Sequence, residues 1–511
     1  MEDENITFSQ EQQLAYNKYI QGDNIFITGP GGSGKSALIK KMRDWAINNN
    51  KNIQVTALTG CAAVLLNCKA KTLHSWAGIG LGNGTIEQIV KKIKIKKYVH
   101  QNWKDIKILI IDEVSMLSLK LFNQLNSIAK IIRKNSSPFG GIQVIFSGDF
   151  YQLPPVGDKS DEDSTKFCFE SEYWNSTFKR ECQIQLKRIF RQTDELYTNI
   201  LNQIREGKLK KRTCDILIQY VGREVNNELI TEPTKLYPTR VKVENINKQK
   251  MDLLTGNSRT YSLVHEYELE ISKEEEAEKS YFSQEDIDKE ITFLISNLMC
   301  DIELNIKIGC QVMSIINVKT DEGHLEICNG SQGIVTGFCP ISGYPIVKYN
   351  NGTISTMCKH TWTSQKIPGI GVSQIPLILA WAVTIHKSQG ATLDAAEIDV
   401  GSGIFERGQT YVALSRVKSL EGLYLKSFDI KKIIISKKVQ NYYNELSLTD
   451  EEYEELQKMR LNTLTEKKNE IKIESKLTKK IEEKKEIIQK ETNQDKKLIQ
   501  SQISSWLKKK D

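Results

Sequence analysis

One short segment constrains this chain more than any other. Gly29-Pro30-Gly31-Gly32-Ser33-Gly34-Lys35-Ser36 follows an apolar run at 24–28 and precedes a segment of helical periodicity at 37–47. Glycines let the backbone curl until its N–H groups converge, and the N-terminus of the following helix adds positive potential there. The spacing G-x-x-x-x-G-K-S between strand and helix reads as a phosphate-binding loop. Its backbone would cradle phosphates, Lys35 would reach the β- and γ-phosphates, and the Ser36 hydroxyl would take a Mg²⁺ position. A chance glycine-rich loop is the bland alternative, and the strand–loop–helix context argues against it.

Such a site needs a metal-positioning acid on a neighbouring strand. Ile108-Leu109-Ile110-Ile111-Asp112-Glu113 supplies one after an apolar run, at the C-terminal strand end where open α/β sheets bind ligands. Asp112 is assigned to Mg²⁺, and Glu113 to orienting and deprotonating the attacking water. The two segments together predict Mg²⁺-dependent hydrolysis of a nucleoside triphosphate.

The apolar runs at 24–28, 53–57, 108–111 and 144–147 alternate with helix-length amphipathic segments. That pattern predicts an α/β domain with a parallel sheet. A second α/β pattern starts at 235–238 and resumes at 378–385, 397–400 and 423–425. Between its halves, 305–375 is rich in Gly and β-branched residues, with turn signals at Asn329-Gly330 and Asn351-Gly352. It reads as a small inserted β-barrel. Residues 265–300 are acidic and helical or loop-like. Beyond about 446, Lys and Glu dominate without Gly or Pro, which suits either a long exposed helix or a disordered tail.

A chain of 511 residues should hold about three or four units at roughly 150 residues each. No apolar run approaches the roughly 18 residues of a membrane span, and the acidic, polar start MEDENITFSQ is unlike a secretory signal. Ten cysteines are scattered without a C-x-x-C pair. That spacing fits neither a disulfide framework nor a zinc ribbon, and predicts an intracellular, reducing compartment. A net charge of +7 permits a polyanionic partner without identifying one.

The third strand leads into Gly148-Asp149-Phe150-Tyr151-Gln152-Leu153-Pro154-Pro155-Val156, where the Gln152 amide can sense a γ-phosphate. Phe190-Arg191-Gln192 and Tyr411-Val412-Ala413-Leu414-Ser415-Arg416 each place an arginine where phosphate could be clamped. Two arginines and two α/β halves predict a nucleotide cleft between domains.

These segments, in this order, resemble a superfamily 1B DNA helicase of the petite-integration-frequency (PIF) family, related to RecD-type helicases. Phe8-Ser9-Gln10-Glu11-Gln12 resembles its N-terminal glutamine motif. Thr59-Gly60-Cys61-Ala62-Ala63 and the segment 72–80 resemble its two strand-contacting motifs. The run from Asp112 through a helix to Arg133 resembles its signature segment, and 148–156 its motif III. Leu236-Tyr237-Pro238-Thr239-Arg240 resembles the start of its second motor domain, and Asn329-Gly330-Ser331-Gln332-Gly333 the entry to the inserted barrel. Thr384-Ile385-His386-Lys387-Ser388-Gln389-Gly390-Ala391-Thr392 and 409–417 resemble motifs V and VI. Cys61 and Trp76 depart from the family's usual aliphatic residue and Phe.

The resemblance spans about 8–430 and implies two RecA-like motor domains with parallel sheets. The first is 1–185, with a wedge insertion at about 76–103. The second is 186–304 with 376–445, and it carries an SH3-like barrel at 305–375. A charged helical or disordered tail, 446–511, lies outside the resemblance. The implied activity is ATP-dependent unwinding of duplex DNA by 5′-to-3′ movement on a single strand, in replication, recombination or repair. An RNA helicase, or a translocating remodeller that does not separate strands, would use the same motor. Catalysis falls to Lys35, Asp112, Glu113, Gln152 and the arginine fingers Arg191 and Arg416. ATP would also meet Gln12, Gly29, Pro30, Gly31, Gly32, Ser33, Gly34, Ser36, Gln389 and Gly390.

Contacts to the DNA strand are assigned to Thr59, Gly60, His74, Phe150, His386, Lys387 and Ser388. Hydroxyl and basic side chains can grip phosphates without reading sequence, and an aromatic can stack on any base. Any one aromatic is more often core, but the motif context favours a strand contact for Phe150 and leaves Trp76 open between the two; His74 by itself would be a structural histidine, and its motif favours the strand. Lys91, Lys92, Lys94, Lys96 and Lys97 suit the wedge or a solvated basic face. At the far end, Gln500, Ile503, Trp506 and Leu507 are spaced like a sliding-clamp-binding peptide, and an amphipathic helix end would be spaced the same way.

Overall fold

The computed structural model describes residues 8–455 except 67, 81, 83, 159, 193, 226–229, 320–324, 365–366, 386, 389, 402–403, 405, 450 and 454. Residues 1–440 form one compact unit and 441–511 a second. The segment 500–507, with Gln500, Ile503, Trp506 and Leu507, lies outside the described residues, as do His386 and Gln389.

The first half of the larger unit opens with α1 (Gln10–Gln21), β1 (Ile25–Thr28), α2 (Lys35–Asn48), β2 (Ile53–Ala57), α3 (Gly60–Leu66), β3 (Lys71–Thr72) and α4 (Leu73–Ala77). Next come α5 (Ile86–Ile95), α6 (Lys97–Asp105), β4 (Ile108–Asp112), α7 (Leu119–Arg133), β5 (Gln143–Gly148), the single turns α8 (Glu162–Thr165) and α9 (Trp174–Thr177), and β6 (Gln183–Gln185). Six strands form a parallel sheet in the order β3-β2-β4-β5-β1-β6. All residues of β1 and β4 are buried, which is why these strands read as unbroken apolar runs. One expectation needs correcting: β4, which carries Asp112, is not beside β1, because β5 lies between them.

The wedge region folds as α5 and α6, both packed on α7. Ile89, Val90, Ile93, Val99 and Trp103 are buried, while Lys91, Lys92, Lys94, Lys96 and Lys97 are all exposed. Trp76 is buried against Trp103, with ring centroids 4.8 Å apart, so it is core.

The chain continues through α10 (Glu195–Glu206), α11 (Lys211–Gln219), β7 (Thr234–Tyr237), α12 (Arg240–Asp252), β8 (Ser258–Ser262), β9 (Val264–Glu266), α13 (Lys273–Lys279) and α14 (Gln284–Asn297). A β-rich stretch follows: β10 (Glu303–Lys307), β11 (Gln311–Ser314), β12 (Val318–Lys319), β13 (Leu325–Ile327), β14 (Gln332–Phe338), β15 (Pro345–Tyr349), β16 (Ile354–Thr356), β17 (His360–Thr363), β18 (Gly371–Gln374) and β19 (Leu377–Leu379). It closes with β20 (Ala382–Thr384), β21 (Ala396–Val400), α15 (Gln409–Leu414), β22 (Leu423–Phe428) and α16 (Lys437–Leu446).

A second parallel sheet has the order β20-β7-β21-β22. The β-rich stretch forms a five-stranded antiparallel sheet, β16-β15-β14-β11-β19, together with β17-β18-β9 and two small ladders. Val312, Val335, Val347, Tyr349 and Leu377 bury a common core beneath it. β8, β9 and β19 join these sheets from outside 305–375.

The run 378–385 is not one strand. β19 pairs antiparallel with β11, and β20 pairs parallel with β7. The switch falls at Ala380, whose carbonyl accepts hydrogen bonds from Gln311 Nε2 (2.9 Å) and Thr234 Oγ1 (2.6 Å). An apolar run hides such a change, because both halves are buried. In the smaller unit, Thr449 and Glu452 form reciprocal capping contacts.

Candidate active site

The loop between β1 and α2 turns through Gly32 and Gly34, both at φ 82°. A side chain on Gly32 would also put Cβ 2.4 Å from Arg191 Cβ, so this glycine is needed for backbone shape and close approach alike. Gln12 closes one side. Its Oε1 accepts from Ser9 N–H (2.9 Å) to complete the α1 capping box, and its Nε2 donates to the Ser33 carbonyl (3.3 Å). The Ser33 hydroxyl is buried with no hydrogen-bond partner among the described residues.

Lys35 Nζ donates to the carbonyls of Gly29 (2.7 Å) and Pro30 (3.0 Å). Burial pulls its pKa down, against the opposing fields of Asp149, Glu113 and Asp112. Asp112 is itself buried, and burial raises its carboxyl above the ordinary range, partly offset by polar neighbours and the Lys35 charge. Glu113 follows in the left-handed region (φ 57°, ψ 39°), a strained setting for a non-glycine residue and one that clusters at working sites.

The two arginines approach from far along the sequence. Around the position that a Gly31 Cβ would occupy lie Arg191 Nη1 at 3.6 Å, Ser415 Oγ at 3.7 Å and Tyr411 Oη at 3.8 Å. Arg191 Nη1 donates to the Ser415 carbonyl (3.4 Å), and the Gly31 N–H donates to Tyr411 Oη (2.9 Å). Arg416 is 2 % exposed, its Nε donating to the Val412 carbonyl (2.8 Å) and Nη2 to Ser415 Oγ (2.9 Å). Burial, and then the nearby Arg191 charge, disfavour its protonated form. A half-buried Arg191 at the glycine loop and a buried Arg416 close enough to feel its charge favour an anion beside them.

Lys35, Asp112, Glu113, Arg191, Arg416 and Gln12 thus share one locus. Gln152 is buried at the turn after β5. Gly390 is exposed at φ 85°.

The assigned strand contacts divide. Thr59 Oγ1 caps α3 by accepting from the Ala62 N–H (3.2 Å), and Gly60 is buried at the start of that helix. His74 sits half-buried on α4, and burial lowers its pKa. Lys387 Nζ donates to the Met299 carbonyl (3.3 Å).

Two assignments meet a different environment. Phe150 is 1 % exposed among Phe26, Phe167, Phe169 and Trp174; its ring is core and offers no face to a base. Ser388 is fully buried, and its hydroxyl donates to the Ile385 carbonyl (2.9 Å), so it pins a turn. Sequence reasoning gave no role to Tyr411, Ser415, Asp149 or Arg205. The first three stand inside recognised motifs, whereas Arg205 lies in an ordinary amphipathic helix with no local signal.

Residues 7–215 match the profile of PIF1-like helicases. The "ATP-dependent DNA helicase PIF1" of Emericella nidulans is 34% identical over 483 residues, covering 83% of this chain and 61% of that protein. The Pif1 helicase crystal structure from Candida albicans is 35% identical, covers 86% of this chain and 100% of its own, and has a TM-score of 0.65. This chain belongs to the PIF1-like helicase family. A Bacteroides Pif1 helicase in complex with ADP-AlF3 and single-stranded DNA is 29% identical with a TM-score of 0.55, covering 86% of this chain and 97% of that one. Against the curated Emericella, Xenopus laevis and Danio rerio relatives the chain spans 61%, 65% and 64% of their lengths.

Proposed function

We propose that this chain is an ATP-dependent DNA helicase that moves along single-stranded DNA, 5′ to 3′, and opens duplex ahead of it. The observation that carries the reading is the approach of Arg191 to the phosphate loop at Gly31, together with Ser415, whose hydroxyl is held by the buried Arg416. Gln12 and the loop amides would bind the nucleotide, Lys35 would turn from its loop carbonyls to the β- and γ-phosphates, and the arginines would take charge developing on the transferred phosphoryl group. Glu113 would accept the proton of the attacking water.

The donor set fits magnesium: a serine hydroxyl at the start of α2 and a buried carboxylate are both hard oxygen ligands. Ser36 and Asp112 would hold Mg²⁺, which supplies charge neutralisation at the phosphate oxygens, and a cation there favours the ionised form of Asp112. The buried orphan hydroxyl of Ser33 also suits a loop that meets an anion.

Thr59, Gly60, His74, His386 and Lys387 remain the proposed contacts to the DNA strand. The exposed lysines of α5 and α6 would line the strand-separating wedge, and the antiparallel sheets around 305–375 would serve as the barrel insertion. The deciding experiment is strand displacement on duplexes with 5′ or 3′ single-stranded overhangs, with wild type and Glu113→Gln. Displacement from the 5′ overhang by wild type alone supports the reading. ATPase without displacement would make the protein a remodeller, and equal stimulation by RNA would make it an RNA helicase.

A further inference from the structure

The turn that carries Gln152 is tied down by a residue outside every motif. Arg205, 3% exposed near the end of α10, forms a bidentate ion pair with the fully buried Asp149: Nε to Oδ2 and Nη2 to Oδ1, both 2.8 Å. Its guanidinium lies 4.6 Å from the centroid of the Tyr151 ring. Asp149 also knots its own turn. Oδ1 accepts from the Tyr151 N–H (3.2 Å), and its carbonyl accepts from the Gln152 N–H (2.8 Å).

Two turns earlier on α10, Tyr197 Oη donates to the Leu414 carbonyl (2.7 Å) at the end of α15. The turn and α15 also meet directly. A Cβ on Gly408, the residue before α15, would fall 2.5 Å from the carbonyl oxygens of both Tyr151 and Gln152. Turn 149–152, α10 and α15 therefore form a closed circuit, and α15 delivers Tyr411, Ser415 and Arg416 to the phosphate loop.

We propose that Arg205 is a positioning residue for ATP hydrolysis, holding the Gln152 turn in register with α15 so that Gln152 and Arg416 address the same phosphate. This rests on the ATPase reading above. A buried ion pair is a poor source of stability compared with apolar packing of the same volume, but its planar fork fixes orientation in a way that a lysine cannot reproduce.

The test uses the full chain with Arg205→Met, Arg205→Lys and Tyr197→Phe, assayed below their melting temperatures. Readouts are ATPase stimulated by oligo-dT and calorimetric binding of Mg-ADP. The expected result for Arg205→Met is a fall in kcat on the order of 100-fold, the scale of a misplaced catalytic group, with Mg-ADP affinity within about threefold. Arg205→Lys should be intermediate, and Tyr197→Phe, which leaves the ion pair intact, should show the same split more weakly. If Arg205→Met does not fold, the other two variants decide. The proposal is overturned if folded variants keep kcat within about threefold, or if Mg-ADP affinity falls in step with kcat. Wild type without DNA-stimulated ATPase would instead sink the underlying reading, before any variant is compared.

Discussion

Replacing Phe150 separates two roles that its motif leaves open. Its ring centroid lies 4.8 Å from that of Phe169, 5.1 Å from Phe26, and 6.0 Å from both Phe167 and Trp174. Truncating such a ring to alanine costs about 3–5 kcal/mol from lost transfer energy and the cavity left behind. Phe150→Leu keeps most of the volume and should cost about 1–1.5 kcal/mol. Urea unfolding followed by tryptophan fluorescence would measure both, since Trp174 packs on the same ring. A base-stacking aromatic behaves otherwise: its loss removes about 1–3 kcal/mol per base from binding, or about 5- to 150-fold in Kd. Fluorescence anisotropy with labelled oligo-dT should therefore find Phe150→Leu binding as wild type does, at urea-free temperatures where it is folded. Wild-type stability combined with a tenfold-weaker strand affinity, on the order of a kcal/mol or more, would refute the core assignment.

Gly32→Ala should cost about 1–2 kcal/mol for the left-handed backbone and displace Arg191, lowering ATPase turnover on the order of 100-fold. Gly22→Ala, at φ 92° with nothing within 4 Å of the new Cβ, should show the stability loss alone. Arg416→Lys forfeits the Nε and Nη2 bonds that aim the guanidinium, and turnover should fall by about 10³-fold while Mg-ADP still binds in calorimetry. The pKa values of His74 and His360 are both lowered by burial, so the unfolded chain binds more protons as the pH falls below about 6.5. The stability gained from keeping them neutral is complete above that pH and is lost as pH drops through the lower folded values. Thermal melting across this window should show a smaller acid loss in His74→Gln. Strand affinity should fall linearly on a log–log plot against salt, and a flat response would exclude a phosphate-gripping track.

What was legible in the sequence follows from range. The phosphate loop is local: strand, glycines, lysine and helix are contiguous, so spacing alone reveals it. β1 and β4 likewise read directly, because parallel strands buried on both faces leave nearly continuous apolar runs. Strand order did not read, since nothing in Ile108–Asp112 says that β5 intervenes before β1. The break at Ala380 was hidden because its cause lies in Thr234 and Gln311, 146 and 69 residues away. Phe150 misled for a related reason. An aromatic inside a binding motif looks the same whether its ring faces a ligand or, as here, four other rings. Arg205 was invisible because a single charged position on an amphipathic helix ordinarily faces water, and only its partner, 56 residues earlier, reverses that expectation.

The charge arrangement ties these points to the proposed engine. Asp149 is paired with Arg205 and, with Asp112 and Glu113, also acts on Lys35, while Glu113 is the carboxylate that acts on Arg191 and Arg416, in a region where burial disfavours the charged forms of Lys35, Asp112 and both arginines. Removing such groups from water is expensive unless opposite charge compensates. On the proposed reading a triphosphate with its cation would supply that compensation, and the arginines would gain most because they have the least carboxylate of their own. Lys35 is fixed to β1 and α2, Arg191 follows β6, and Arg416 hangs from α15. The same anion would therefore pull on three separately anchored segments. On the proposed reading, cleavage of the terminal phosphate weakens that pull at the arginines first, and the segments that carry them are the ones free to shift against the loop. Such a shift would be conveyed to the turn at Gln152 through Gly408 and α10, so a variant that loosens α10 should hydrolyse ATP slowly and also waste more ATP per base pair opened, a ratio that a simple stability defect would leave unchanged.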